Sequence, residues 1–74
     1  MSKDFSYTLE KHIATLSESD NGDFTTELNI ISYNGASPKI DIRKWDRRTD
    51  KMLKGIALTE SEAQALKEAL ARAI

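Results

Sequence analysis

The 74-residue chain contains no cysteine, one histidine, one proline and three glycines. Without cysteine it forms neither disulfides nor thiolate metal sites, and one histidine supplies too few donors for a zinc site. The three glycines are isolated from one another, which excludes a glycine-rich loop that cradles phosphate. The sequence therefore predicts a protein without a metal ion or a cofactor.

Catalysis finds little support in the same sequence. His12, the only histidine, lies among polar neighbours in the first predicted strand, where a histidine is usually a surface residue. One histidine supports no Ser-His-Asp arrangement, and DNGD at residues 20–23 lacks the spacing of an EF-hand calcium loop. We expect a protein that is not an enzyme and has neither catalytic residues nor a small-molecule substrate.

Long hydrophobic runs are also lacking. No segment approaches the roughly 20 apolar residues of a membrane span, and the start, MSKDFSYTLEK, has no continuous apolar stretch typical of a signal peptide. These features predict a cytoplasmic protein that does not contact a membrane. The length allows a single domain, residues 1–74, whose core usually contributes no more than roughly 3–5 kcal/mol, so self-association is expected.

The formal net charge is only −1, but it is distributed unevenly. Residues 39–54 hold seven of the eleven Lys and Arg residues against three Asp, a local charge of +4. Residues 1–38 hold two Lys against six acidic residues, a local charge of −4. The near-neutral total argues against indiscriminate binding to polyanions, while the basic segment leaves room for a local anion site. The alternative to an anion site is that these charged residues only keep a hairpin soluble, which is the commoner role of clustered surface charge.

Turn signals divide the first sixty residues into short pieces. Asn21-Gly22 and Asn34-Gly35 favour tight turns, because both residue types tolerate positive φ. FTTELNIISY and KIDIRKW are rich in β-branched and aromatic residues, as strands are. Connections this short predict an antiparallel meander, since parallel strands require long crossovers. The predicted strands are approximately residues 7–18, 24–33, 39–46 and 52–58.

The periodicity changes in the last segment. Thr59 and Glu62 in TESE form a capping-box pattern, in which each side chain satisfies a backbone N–H of the first helical turn. Apolar residues then recur at helical spacing: Ala63, Leu66, Ala69, Leu70, Ala73 and Ile74. The predicted fold class is therefore α+β, a four-stranded antiparallel meander followed by one C-terminal helix (ββββα).

Alternation along the third strand separates two faces of the sheet. Ile40 and Ile42 are expected to face the helix, whereas Arg43 and Trp45 point to the other face, which we expect to be open. Gly55 in the fourth strand indicates a bulge or a close backbone approach. The second strand adds three residues to the open face: Asn29, Ile31 and Tyr33.

An open face with separated cations and aromatic rings fits single-stranded nucleic acid. Unpaired bases expose π-faces, and stacking one on an aromatic ring contributes roughly 1–3 kcal/mol whatever the base. Arg and Lys side chains then contact the phosphates and release counterions. Other interpretations remain open: Trp45 in a core or a dimer interface, Arg43 paired with Asp41 or Asp46, and edge lysines that only discourage aggregation.

PKIDIRKW at residues 38–45, followed by KGIALTESEAQAL at residues 54–66, resembles a known family. It is the transcriptional positive-cofactor-four family of single-stranded-DNA-binding coactivators, in its short bacterial YdbC-like form. The matching portion runs from about Phe24 to Leu70. Its most telling pieces are the IDIR strand and the KGI-x-LT junction between the last strand and the helix.

The resemblance implies a homodimer, with the helices packed at the two-fold axis and curved β-ribbons forming a basic channel. Single-stranded DNA, and as an alternative RNA, would lie along those ribbons, in transcription regulation, replication or repair. Ala63 stands where eukaryotic members often have a tryptophan, and the loop before the fourth strand is shorter, so the dimer interface is expected to differ. The nucleic-acid-binding residues implied are Lys39, Arg43, Trp45, Lys51, Lys54 and Tyr33.

A second hypothesis is a dimeric protein-interaction module that docks a protein partner on the open sheet face. Trp45, Tyr33 and Ile31 would then be anchors, and the cations would form a steering rim. Phosphate binding predicts an affinity that falls steeply with salt, whereas apolar docking predicts an almost flat dependence. A purely structural subunit would bind neither nucleic acid nor a protein partner on this face, so neither salt dependence would be observed.

Overall fold

The computed structural model describes residues 6–74 and shows a four-stranded sheet followed by one helix. The strands are β1 (Tyr7–Glu18), β2 (Phe24–Tyr33), β3 (Lys39–Asp46) and β4 (Lys51–Leu58), and the helix is α1 (Glu60–Ala73). Each strand pairs antiparallel with the next one along the chain. The predicted ββββα meander is confirmed, with β4 starting one residue early. The signal-peptide prediction falls partly on residues 1–5, outside the described residues.

Local turn chemistry explains where the strands end. Asn34 and Gly35 have φ values of 51° and 77°, and a 2.9 Å hydrogen bond from the amide of residue 36 to the carbonyl of residue 33 closes the turn. This is the positive-φ pair that an Asn-Gly hairpin turn requires. Gly22 has a φ of 79° in the first turn, and Asp50 a φ of 56° in the third. The two predicted Asn-Gly turns therefore lie between strands, as expected.

The start of α1 follows the predicted capping box. The Glu62 amide donates to the Thr59 hydroxyl at 3.2 Å, and the Thr59 amide donates to the Glu62 carboxylate at 2.8 Å. Two orphan N–H groups of the first turn are thereby satisfied. No residue of α1 is buried, so the helix lies against the sheet without being enclosed by it.

The helix covers the face that carries the even-numbered side chains of β2 and β3. An apolar cleft of about 470 Å³ lies between α1 and this face, and its walls include Leu28, Ile40, Ile42, Leu66 and Leu70. The predicted assignment of Ile40 and Ile42 to the helix side is confirmed. The cleft is apolar yet incompletely filled within one chain.

Four register shifts bend the sheet, three between β1 and β2 and one between β3 and β4. Each extra residue in a strand bends it and increases the local twist. Tyr7 pairs with Tyr33 and Trp45 pairs with Thr25, yet the Tyr7 and Trp45 ring centres are 6.0 Å apart. Since residues 25 and 33 are separated by about 26 Å of extended strand, the sheet must curl toward this side. We call this side, opposite the helix, the concave face.

The most buried residues lie on the concave face and not under the helix. Ile31 is 0 % exposed and Trp45 is 3 % exposed. The other buried residues of this face are polar: Thr25, Glu27, Asn29 and Asp41. The expectation of an open face was wrong, because curvature brings its side chains into contact with one another.

Candidate nucleic-acid interface

The seven cations of residues 39–54 divide by residue type. Each arginine pairs with a carboxylate: Arg43 with Asp41 at 2.7 Å, Arg47 with Glu27 at 2.6 Å and Arg48 with Asp46 at 2.9 Å. Within residues 6–74, no ion pair involves the four exposed lysines Lys39, Lys44, Lys51 and Lys54. A guanidinium is a planar fork that matches a carboxylate at two points, whereas an ammonium is a hydrated point charge. The arginines therefore organise the sheet, and the lysines remain accessible to an external anion.

Arg43 is held on the concave face by four hydrogen bonds. It donates to both Asp41 carboxylate oxygens at 2.7 and 2.8 Å, to the Tyr33 hydroxyl at 3.1 Å and to the Leu53 carbonyl at 2.9 Å. Its side chain is 14 % exposed, and that of Asp41 is 0 % exposed. The prediction that Arg43 shares a face with Trp45 is confirmed. The expected solvent-facing guanidinium was wrong, since a buried carboxylate requires this partner.

Tyr33 belongs to the same network. Its hydroxyl donates to Asp41 Oδ2 at 2.5 Å, and the ring is partly exposed. Burial and the neighbouring Asp41 carboxylate raise the pKa of Tyr33 to about 12, because both disfavour the phenolate. The phenol is thus a fixed hydrogen-bond donor, and Arg43 and Asp41 together set the direction of its ring.

Gly55 lies opposite Arg43 at the register shift between β3 and β4. A Cβ atom on Gly55 would lie 1.9 Å from the Arg43 Cβ and 2.6 Å from the Ile42 carbonyl oxygen. The predicted bulge and close backbone approach at this glycine are both confirmed. The bulge also explains why the Leu53 carbonyl is available to Arg43, since a bulge interrupts the regular strand pairing.

Trp45 is enclosed by side chains of the concave face. The guanidinium carbon of Arg47 lies 4.5 Å from the indole ring centre, and the Tyr7 ring meets the indole edge-on at an interplanar angle of 62°. Among the residues from 6 onward, no acceptor reaches the buried indole Nε1. The ring lies away from the helix, as predicted, but it is covered by Arg47 and Tyr7.

Glu27 anchors the side chain that covers Trp45. Arg47 donates from Nη2 and Nε to the two carboxylate oxygens at 2.6 and 3.0 Å, and Thr25 and Asn29 donate to the same carboxylate. Burial alone raises the pKa of Glu27, but the hydrogen bonds from Arg47, Thr25 and Asn29 outweigh it and hold the pKa below its ordinary value. Glu27 is therefore a fixed anion on the concave face.

Sequence reasoning missed three residues of this site. Arg47, Tyr7 and Glu27 have no role in the sequence predictions, although Glu27 lies on the same alternating positions as Asn29 and Ile31. That alternation was the available signal for Glu27. Contacts between residues 20 positions apart, such as Arg47 with Glu27, leave no local signal.

His12 lies at the edge of the concave face on β1. Its Nδ1 lies 2.6 Å from the Asn29 side-chain oxygen, and its side chain is 47 % exposed. In the part of the chain from residue 6 to residue 74, no group of three or more His, Cys, Asp or Glu side chains is arranged to hold a metal ion. No helix within those residues is long and apolar enough to cross a membrane.

The chain thus forms a strongly curved meander with one C-terminal helix and leaves the lysines of β3 and β4 exposed. The chain belongs to the family described as Transcriptional Coactivator p15 (PC4), whose model matches residues 23–69, more than half of the chain. This is a family of non-enzymatic nucleic-acid-binding domains. The chain is also similar to an uncharacterized protein of Treponema pallidum (strain Nichols), with 45% identity over 67 residues. That match covers 90% of this chain and 78% of the relative, and the resemblance to a short bacterial form is confirmed.

Proposed function

We propose that the protein binds single-stranded DNA with little sequence preference, and that single-stranded RNA is the alternative ligand to be tested beside it. The observation that carries this proposal is the division of the basic segment, in which the arginines pair internally and the lysines do not. Membership in a nucleic-acid-binding family supports it. The biological setting would be transcription regulation, replication or repair, where strands are transiently open.

The three predicted lysines would contact phosphates along the β3–β4 ribbon. Lys39 begins β3 and Lys51 begins β4, so they lie at opposite ends of this antiparallel pair, about 23 Å apart along an extended strand. Lys54 lies between them, in the bulged part of β4. Cations spaced along a ribbon suit an extended polyanion better than a compact anion. Lys44, which sequence reasoning did not select, is also exposed, but it pairs with Thr26 on the face that carries the helix.

Aromatic stacking would involve Tyr33 directly. Its ring is partly exposed, and Arg43 and Asp41 fix its hydroxyl. Arg43 is therefore proposed as a positioning residue for Tyr33 and not as a primary phosphate contact. Trp45 can stack on a base only after a neighbouring side chain moves, because its ring is 3 % exposed.

A homodimer would complete the fold. Only Ile31 and Trp45 are buried hydrophobic residues within residues 6–74, which is a small core for a chain of this length. The cleft between α1 and the sheet is lined by leucines and isoleucines and remains open within one chain. A second copy that packs its helix into this region would bury those side chains and keep the concave face accessible. A second copy is preferred over another partner because it would bring the same apolar helix face, so that the two faces could cover each other.

The protein-interaction alternative loses two of its three anchors in this structure. Ile31 and Trp45 were expected to be exposed on a docking face, but they are 0 % and 3 % exposed. An anchor residue must be able to enter a pocket on the partner. The exposed apolar residues of the helix side are better explained by the proposed dimer.

Titration of a fluorescein-labelled thymine oligomer, followed by anisotropy at several salt concentrations, tests the proposal. On a single strand each phosphate contact contributes roughly −0.7 to the log-log slope of affinity against salt. The three lysines Lys39, Lys51 and Lys54 therefore contribute about −2 to the slope for each protomer, and Lys51→Gln or Lys54→Gln should reduce its magnitude by about 0.7. The matched control is Lys11→Gln in β1, outside the basic segment. No anisotropy change at micromolar protein in low salt would overturn the proposed function.

A further inference from the structure

We propose that Arg47 and Glu27 form a displaceable cover over Trp45, and that a nucleobase reaches the indole by taking the place of the Arg47 guanidinium. The inference rests on the proposed binding of single-stranded nucleic acid and adds a conformational step to it. The indole ring is 3 % exposed, so a ligand can touch it only if a neighbour moves.

Arg47 is the neighbour best placed to move. It lies in the turn between β3 and β4, its side chain is 31 % exposed, and rotation of that side chain would uncover the ring face that it lies over. Tyr7, on the other side of the indole, belongs to a strand whose backbone is paired with β2. Moving Tyr7 therefore requires more of the sheet to change than moving Arg47.

The exchange replaces each interaction of Arg47 with one of the same kind. In the covered state the guanidinium has a two-point carboxylate partner in Glu27 and lies 4.5 Å from the indole ring centre. A phosphate offers the same two-point geometry as a carboxylate, and a base offers the indole a flat π-surface. A single nucleotide can thus supply both the anion for Arg47 and the stacking partner for Trp45.

The covered state also contains an unfavourable feature that uncovering can relieve. The indole N–H is buried, and no acceptor within residues 6–74 reaches it. A buried donor without a partner loses its hydration without compensation. Removal of the Arg47 side chain gives this N–H access to water or to an acceptor on the incoming base.

Glu27 sets how readily the cover opens. Its carboxylate accepts hydrogen bonds from Thr25 at 2.5 Å and from Asn29 at 3.3 Å, and its side chain is 5 % exposed. It cannot follow Arg47 out of the concave face, so it competes with phosphate for the guanidinium. The apparent affinity for single-stranded DNA should therefore depend on Glu27, which does not itself contact the ligand.

Glu27→Gln tests the cover, with Asp46→Asn as the matched control. Each change removes one negative charge beside an arginine of the same turn, but the partner of Asp46, Arg48, lies over Phe24 and not over Trp45. We expect Glu27→Gln to increase acrylamide quenching of Trp45 in the free protein. It should also lower the Kd for a labelled thymine oligomer roughly three- to tenfold, since apparent affinity scales with the uncovered fraction. Equal gains in the two variants, or no gain in Glu27→Gln, would overturn the cover.

Arg47→Ala gives a second test should Glu27→Gln fail to fold. Removal of the cover should increase quenching of Trp45 and reduce the magnitude of the salt slope by about 0.7, because one phosphate contact is lost. Unchanged quenching together with an unchanged slope would overturn the inference while the proposed function stands. Absence of binding by the wild-type protein would overturn the proposed function itself, and this exchange with it.

Discussion

Asp41 and Arg43, two positions apart on β3, form a two-point ion pair in which the carboxylate is fully buried. Side chains at such positions project from the same face of a strand, so the pair needs no change in the backbone. The guanidinium also reaches the Tyr33 hydroxyl and the Leu53 carbonyl, on β2 and β4. One arginine thereby connects three strands across the concave face.

Replacement of Arg43 by methionine should strongly destabilise the fold. The change leaves the buried Asp41 carboxylate without its cation, and breaking a buried pair in this way costs about 3–5 kcal/mol. Urea denaturation followed by circular dichroism measures the free energy of unfolding. The comparison variant is Arg48→Met, because the Arg48 side chain is 57 % exposed and its pair with Asp46 should contribute little. Equal losses in the two variants would refute a structural role specific to Arg43.

Alkaline unfolding should report on Tyr33. Its pKa of about 12 is above the value of about 10 for an unfolded tyrosine, so the folded state favours the protonated phenol. The resulting stabilisation is fully present below pH about 10 and is lost as the pH rises from about 10 to about 12. Across that window, the free energy of unfolding of the wild-type protein should therefore fall more steeply than that of Tyr33→Phe. Parallel curves for the two proteins would contradict the assignment.

Gly55 should not tolerate a side chain. Gly55→Ala places a methyl group 1.9 Å from the Arg43 Cβ, so either the strands separate or the bulge is lost. We expect a loss of more than about 4 kcal/mol, or no folding at all. Gly35→Ala serves as the control, because within residues 6–74 no heavy atom beyond Gly35 and its chain neighbours lies within 4 Å of the added Cβ, and only the positive φ opposes the change. That control should lose about 1–2 kcal/mol. A similar loss at both glycines would show that backbone conformation, and not space, explains Gly55.

The proposed dimer depends on the helix side of the sheet. Leu66 lines the apolar cleft, so Leu66→Asp should convert a dimer into a monomer by placing a charge in the interface. Sedimentation equilibrium should give about twice the 8.3 kDa chain mass for the wild-type protein and about one chain mass for the variant. Ala65→Asp changes an exposed neighbour on the same helix and should leave the dimer intact. A monomeric wild-type protein at micromolar concentration would refute this interface.

Local signals were sufficient to predict the elements of this fold. Asn34-Gly35 marks a turn because of its backbone preferences, and Thr59 with Glu62 marks the helix start because both groups are close in sequence. Alternation correctly separated Ile42 from Arg43. These features depend on residues only a few positions apart, which is why a single sequence reveals them.

The contacts that bury the side chains of the concave face could not be predicted in the same way. They depend on register shifts in β1, which strict alternation does not reveal, and they include the contact between Tyr7 and Trp45. Alternation indicates which side Trp45 faces, but not what covers it. The different roles of arginine and lysine had a chemical signal, since two-point pairing favours arginine, yet the partner Glu27 lies on another strand.

The most direct test is a titration of the isotope-labelled protein with a thymine oligomer, followed by backbone and side-chain NMR shifts. Our account predicts that the largest changes occur at Lys39, Lys51 and Lys54, and at the Tyr33 and Trp45 rings. It also predicts that resonances of α1 change little. Shifts confined to α1, or no shifts at low salt, would contradict the assignment of the nucleic-acid interface to the basic ribbon and the concave face.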